Sequence, residues 1–346
     1  MTRGVWWAPG GRISDGPAGL SAANRVLKQP ASRVPTAKGR LVIMSTADEI
    51  VTGRRWLVIG APMEGSGTGR GEIGAPGAFR RAGLVEGLGA VDFGDLPIAV
   101  TDGSRDPVTG IIGHHQIATG TKLIADAVSS ALLVGWRPIV LGGCCSILPG
   151  ALTGLRRHSG PAKLVFLDGH LDLFTPKDTR TGELAGMALA VVTGYAAEAA
   201  GALAGPVPLV EPADVLAIGD ADGTRRRESG AAEAATAIPD ARVMDAQSIR
   251  SMGAETAAAR AAALLDREGM PYWLHFDIDV LDQAVMPAVS FPAATGLGYA
   301  EVETLLKAFG GDPRLIGVSV ADLNVDRDPQ HEYAGKVTEL LVSAFA

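Results

Sequence analysis

Two short stretches concentrate acids at the ends of apolar runs. "KLVFLDGHLD" closes with Asp168, His170 and Asp172, and "WLHFDIDVLD" closes with Asp277, Asp279 and Asp282. In an extended chain alternate side chains share a face, so Asp168, His170 and Asp172 can converge, and so can Asp277 and Asp279. Carboxylates gathered at one place repel unless a cation sits among them. A pair of divalent ions does that and also activates water for hydrolysis. Taken singly, each aspartate reads as a turn or cap residue after a strand. Two such clusters make metal binding the better reading. A third apolar run, "PIVLGGCCSILPG", ends on Cys144 and Cys145, the only cysteines of the chain. They could be buried small hydrophobes, a redox pair, or a metal ligand with a neighbour. Adjacent cysteines bond to each other only under strain, and they lack the Cys-x-x-Cys spacing of a redox motif.

Something must hold these ends together. From Trp56 onward, apolar runs alternate with Ala- and Leu-rich stretches of helical period. Candidate strands are "WLVIGAP", "PIVLGG", "AKLVFLDGH", "DVLAIGD", "ARVMDA", "YWLHFDIDV" and "LIGVSVADLN". Near-continuous apolar runs are the mark of strands covered on both faces. Helical stretches such as "QIATGTKLIADAVSSALLVG" and "AETAAARAAALLDREG" lie between them. The alternation predicts one three-layer α/β/α domain with a mainly parallel sheet over residues 44–346. Ligands of such sheets bind beyond the carboxyl ends of the strands, where the acids and cysteines fall. Residues 1–43 hold seven Lys/Arg against the single acid Asp15. They read as a basic, aperiodic extension or a lengthened start. Residues 223–240 read as a charged surface insertion.

The chain has 346 residues, 47% of them hydrophobic, 20% charged, with a net charge of −7. That balance suits an enzyme acting on a small molecule and argues against a nucleic-acid groove or an anionic membrane as partner. No run is long enough for a membrane helix, and no secretory leader is visible, so a cytoplasmic location is expected.

Asp168-Gly169-His170-Leu171-Asp172 and Phe276-Asp277-Ile278-Asp279 resemble the Asp-Ala-His-x-Asp and Phe-Asp-x-Asp motifs of the ureohydrolases: arginases, agmatinases and formimidoylglutamases. Gly142-Gly143-Cys144-Cys145-Ser146 stands where that family has Gly-Gly-Asp-His-Ser. The stretches 60–84, 181–190 and 281–306 resemble its glycine-rich loop, the loop after the second metal motif and the loop after the third. The resemblance implies an eight-stranded arginase-like sheet, a homo-oligomer of three or six chains, and one or two Mn²⁺ ions. By position, Asp168 and Asp277 would bridge the metals, Cys145 and Asp172 would complete one site, and His170 and Asp279 the other. A thiolate at Cys145 makes Zn²⁺, Fe²⁺ or Ni²⁺ alternatives to Mn²⁺. Two metals, one metal, or a decayed site all stay open, with Cys144 packing beside the site.

The departures from the family concern substrate. Phe174 stands in place of an Asn that holds the α-amino acid end in arginases. Glu183 and Ala185 stand in place of an Asn and a proton-shuttling His. Asp322 replaces the Glu that meets the guanidinium. Thr181 and Asp222 fall where substrate contacts are expected. The resemblance implies an amidinohydrolase acting on a guanidino or amidino compound by metal-activated hydroxide. Asp172 would orient or deprotonate the nucleophile, Asp322 would hold the cation, and Glu183 or solvent would deliver the leaving-group proton. The alternative is a catalytically impaired structural or regulatory subunit. His114 and His115 read as cap or surface residues, with His115 kept as an outside candidate for substrate contact, and His158 and His331 as surface residues. His275 alternates with Asp277 and could face the site, but reads better as a core histidine satisfied by a neighbour. "GSGTGRGEIG" lacks the Gly-Lys-Ser/Thr of a phosphate loop.

Overall fold

The computed structural model describes residues 55–346, apart from residues 204 and 266–268. The basic extension over 1–43 lies outside the described residues. Eight strands form one parallel sheet: β1 (Trp56–Ala61), β2 (Val91–Asp95), β3 (Arg137–Gly142), β4 (Lys163–Leu167), β5 (Val215–Ile218), β6 (Arg242–Met244), β7 (Tyr272–Asp277) and β8 (Leu315–Ala321). Their order is β2-β1-β3-β8-β7-β4-β5-β6. The expected architecture is therefore present, and the expected strands all occur. The one unforeseen strand is β2, "VDFGD". It sits at an edge, half exposed and carrying two acids, so it has neither the apolar run nor the clean alternation that marks a strand in a sequence.

Alternation sorts the strand side chains between two cores. On one face Ile59, Val140, Leu164, Phe166 and Trp273 pack against the helices His114–Leu133, Leu148–Ser159 and Ala188–Val192. On the other, Val58, Leu141, Val165, Leu274 and Val318 meet the helices Ala75–Arg81, Ala254–Leu265, Tyr299–Gly310 and Glu332–Phe345. Every residue of β4, β7 and β8 is buried, which is why they read as unbroken apolar runs. Close packing of β7 on β8 needs Gly317: a Cβ there would lie 2.1 Å from the Trp273 ring.

The order of the central strands decides the site. β3, β8, β7 and β4 are consecutive in the sheet, although they come from distant parts of the chain. Their carboxyl ends deliver Cys145, Asp322, Asp277 and Asp168 to one edge.

Candidate metal centre

Each donor is oriented by its local backbone. Asp168 follows β4, and its own amide is held by Ile218 O on β5 at 3.0 Å. Its Oδ1 accepts the His170 amide at 2.6 Å, which leaves Oδ2 free to turn toward Cys145 Sγ, 3.8 Å away. Asp277 repeats the device: Oδ1 accepts the Asp279 amide at 2.7 Å, and Oδ2 lies 2.7 Å from Cys145 Sγ. These are the local turns that aspartate favours after a strand, here used to aim a carboxylate. Asp279 Oδ1 accepts the Gly169 amide at 3.1 Å and its Oδ2 pairs with His170 Nδ1 at 2.9 Å, tying the two motifs together. The Asp322 amide bonds Gly143 O at 2.8 Å, placing Oδ2 at 3.7 Å from the same sulfur. Asp172 and Asp322 take positive φ values of 45° and 72°. Such conformations are costly for residues with a Cβ and concentrate at functional sites.

Donor atoms of Asp168, His170 and Asp279 lie within 4.8 Å of one another, as do those of Asp277, Asp279 and Asp322, and those of Cys145, Asp168, His275 and Asp277. Asp172 belongs to none of these groupings but lines the same pocket. Asp168, Asp277, Asp279 and Cys145 are each at most 2% exposed. Burial, then the neighbouring Asp279, pushes Asp168 and Asp277 well above the usual carboxylate range. Asp172 is pushed up by burial, and Asp322 rises to about 7, again through burial first. Asp279 is the exception: burial opposes ionisation, but His170 beside it holds it low. Cys145 is pushed up by burial and then by Asp277. Charges crowded in this way call for protons or for a divalent pair among them. Thiol, imidazole and carboxylate donors converging in a buried cluster fit that group.

A family model for the arginase family matches residues 54–346. The chain belongs to the arginase family. An arginase of Bacillus caldovelox is 26% identical over 299 residues, covering 83% of this chain and 97% of that protein. A solved structure of arginase from the same organism superposes with a TM-score of 0.75 at 25% identity, covering 85% of this chain and 99% of the other. A formimidoylglutamase of Bacillus subtilis, 19% identical over 84% of this chain and 86% of its own, shares the fold with a TM-score of 0.63. Membership makes this chain a metal-dependent hydrolase of C–N bonds in linear amidines.

Above the donors of this arginase-family chain opens a pocket of about 440 Å³. Phe174, Thr181, Glu183, Ala185 and Asp222 all line it, together with Cys145, His170, Asp172, Asp277, Asp279 and Asp322. Asp222, rather than Asp220, reaches the pocket, because Asp220 forms a two-point pair with Arg226 at 2.9 and 3.0 Å. Arg226 is only 7% exposed and itself lines the pocket, so the segment 223–240 contributes to the wall, a role its charge concealed. The glycine-rich loop contributes a second unforeseen element. Arg70 pairs with Glu64 at 2.8 Å and with Glu183 at 2.5 Å, and its guanidinium lies over the Phe291 ring. Glu72, fully buried, bonds Ser290, which also accepts from Asn324 Nδ2 at 2.9 Å. Only the spatial meeting of residues 64–72 with 183 and 290 reveals this. His114 and His115 lie beside Asp106 at the start of a helix, away from the pocket lining.

The two cysteines part company. Cys145 faces the carboxylates, whereas Cys144 Sγ lies 3.4 Å from Met63 O and 3.2 Å from Ser146 Oγ, either of which can accept its S–H. Cys145→Ser should lower metal content per chain, and Cys144→Ser should leave it at the parental level. The reverse ranking would assign the wrong cysteine to the centre.

The metal-free protein should show a definite pH dependence. His170 rises from 6.5 to about 9 on folding, because Asp279 outweighs burial. Its contribution is full below pH 6.5 and lost as pH climbs to 9, on the order of 3 kcal/mol. The raised aspartates act in the same direction. His275, lowered to about 3 by burial, opposes them only as pH falls below 6.5. Melting temperature after chelation should therefore drop between pH 6.5 and 9, and divalent metal should flatten the slope. A rise over that interval would contradict the charge crowding.

Proposed function

We propose that this chain hydrolyses a guanidinium or amidinium compound with a small or weakly polar tail, releasing urea or its amide counterpart and an amine. The observation that carries this reading is the pocket lining: Asp322 and the donor cluster share one cavity with Phe174 and Ala185, whose side chains offer no hydrogen bond, beside Thr181, Glu183 and Asp222. Were a divalent pair bound, Asp168 and Asp277 would be shared by both ions, Cys145 and Asp172 would hold one, and His170 and Asp279 the other. The oxygen- and nitrogen-rich second position suits Mn²⁺; the sulfur-bearing one favours Zn²⁺ or Fe²⁺. A bound divalent pair supplies water of lowered pKa near neutral pH.

The remaining steps belong to the chain's own residues. Asp172 orients the attacking water and accepts its proton. Asp322 holds the cationic head so that the planar carbon faces that water. The tetrahedral intermediate collapses with cleavage of the C–N bond. Glu183, clamped at the wall by Arg70, passes a proton from solvent to the leaving amine. The family resemblance also supports a homo-oligomer of three or six chains, which sedimentation would count.

The test is steady-state urea release from metal-reconstituted protein with L-arginine, agmatine, hydroxyarginine and short alkylguanidines. Each hydrogen-bonding partner missing at the wall weakens discrimination for an α-amino acid tail by about 1–3 kcal/mol. L-Arginine should rank below the smaller-tailed compounds in kcat/KM. If it ranks well above all of them, the substrate reading fails. If nothing is hydrolysed while metal is bound, the impaired-subunit alternative gains.

A further inference from the structure

We infer that His275 is a metal donor of this centre, supplying from β7 an imidazole to the ion that Cys145 contacts. The inference rests on the metal-dependent reading of the site. His275 is fully buried, two residues before Asp277 on the same strand, so both side chains leave the same face. Register places it between Phe166 of β4 and Ser319 of β8. Its ring stacks on Phe166 with centroids 5.2 Å apart and 22° between planes. Its Nδ1 lies 2.7 Å from Ser319 Oγ. Held from both sides, the ring turns Nε2 toward Cys145 Sγ at 3.1 Å. Nε2, that sulfur and one oxygen each of Asp168 and Asp277 fall within 4.8 Å of one another. Thiolate, imidazole and carboxylate are the kinds of donor that zinc takes, and His275 would add its imidazole to the set formed by Cys145, Asp168, Asp172 and Asp277.

The surroundings of His275 match what a ligating imidazole needs. Such a ring donates its other N–H to a fixed acceptor, which sets the tautomer. Ser319 Oγ has two lone pairs. One accepts Trp273 Nε1–H at 3.0 Å, and the other is placed to accept His275 Nδ1–H. Trp273 is itself pinned over Gly317, where no Cβ fits. Trp273, Ser319 and His275 thus form a hydrogen-bonded support that leaves the Nε2 lone pair aimed at the donor cluster. In the opposite tautomer Ser319 would donate to Nδ1 and Nε2–H would donate to the sulfur. His275 would then only position Cys145.

X-ray absorption at the zinc edge distinguishes the two. Full-length protein is loaded with Zn²⁺ and weakly held metal is dialysed away. Two imidazoles per pair of ions, from His170 and His275, are expected together with one sulfur. His275→Gln should remove one imidazole and weaken retention of one ion at least tenfold. A single imidazole per pair of ions in the parent, or a spectrum unchanged by His275→Gln, would overturn the inference and leave the metal-dependent reading standing. If the variant does not fold, the parent spectrum decides alone. A parent that retains no zinc, manganese or iron would sink both.

Discussion

Asp277→Asn is expected to abolish hydrolysis while leaving the protein folded. The substitution is nearly isosteric, and the amide oxygen can still accept the Asp279 amide that Oδ1 accepts now. What it removes is the negative charge of Oδ2, which faces Cys145 at the centre of the cluster. Losing an outer-shell partner of a metal ligand typically costs 10–100-fold. Loss of a bridging charge should exceed that, so a fall in kcat/KM of at least about 1000-fold is expected, equivalent to about 4 kcal/mol. Stability should respond in the opposite sense. Without metal, Asp277 is a buried carboxyl crowded by Asp279 and Asp322, and a neutral amide relieves that crowding. Metal-free Asp277→Asn should therefore melt at or above the temperature of the metal-free parent at pH 8. Its metal content should be lower. Full metal occupancy and activity in this variant would remove Asp277 from the centre.

Asp322→Asn should lower kcat/KM for the best guanidinium substrate by roughly 100- to 1000-fold. A buried charge whose partner is removed loses about 3–5 kcal/mol, and the range given is the lower part of that scale because the pocket is open to solvent. A neutral substrate analogue should lose much less, which separates recognition of the cation from damage to the metal positions. Asp322→Glu would restore the longer reach seen elsewhere in the family, yet it should not raise activity. Asp322 sits at φ 72°, a conformation that short aspartate tolerates better than a longer side chain. An Asp322→Glu protein more active on L-arginine than the parent would show that reach, not backbone, limits this position.

Strands β4, β7 and β8 were legible because burial on both faces leaves mostly apolar residues, with His275, Asp277 and Ser319 among the polar exceptions. Strand β2 was not, because an edge strand needs no such run. Arg226 looked like surface charge until Asp220 closed on it in two hydrogen bonds. His275 was read as a satisfied core residue. It is buried and bonded to Ser319, and it also faces Cys145.

Residue order reveals which side chains stand at strand ends and which of them share a face, because side-chain direction alternates with period two along any strand. That was enough to group Asp168 with His170 and Asp277 with Asp279, and to put Cys145 beyond the end of a third strand, where only the family resemblance made it a donor. Residue order could not determine which strands are neighbours. Sheet order depends on which helices cover which face, and that is a property of the whole core. Only the tertiary structure places β8 and β7 between β3 and β4. That order brings Cys145 within hydrogen-bonding reach of Asp277, 132 residues away in the chain, and seats His275 beneath them both.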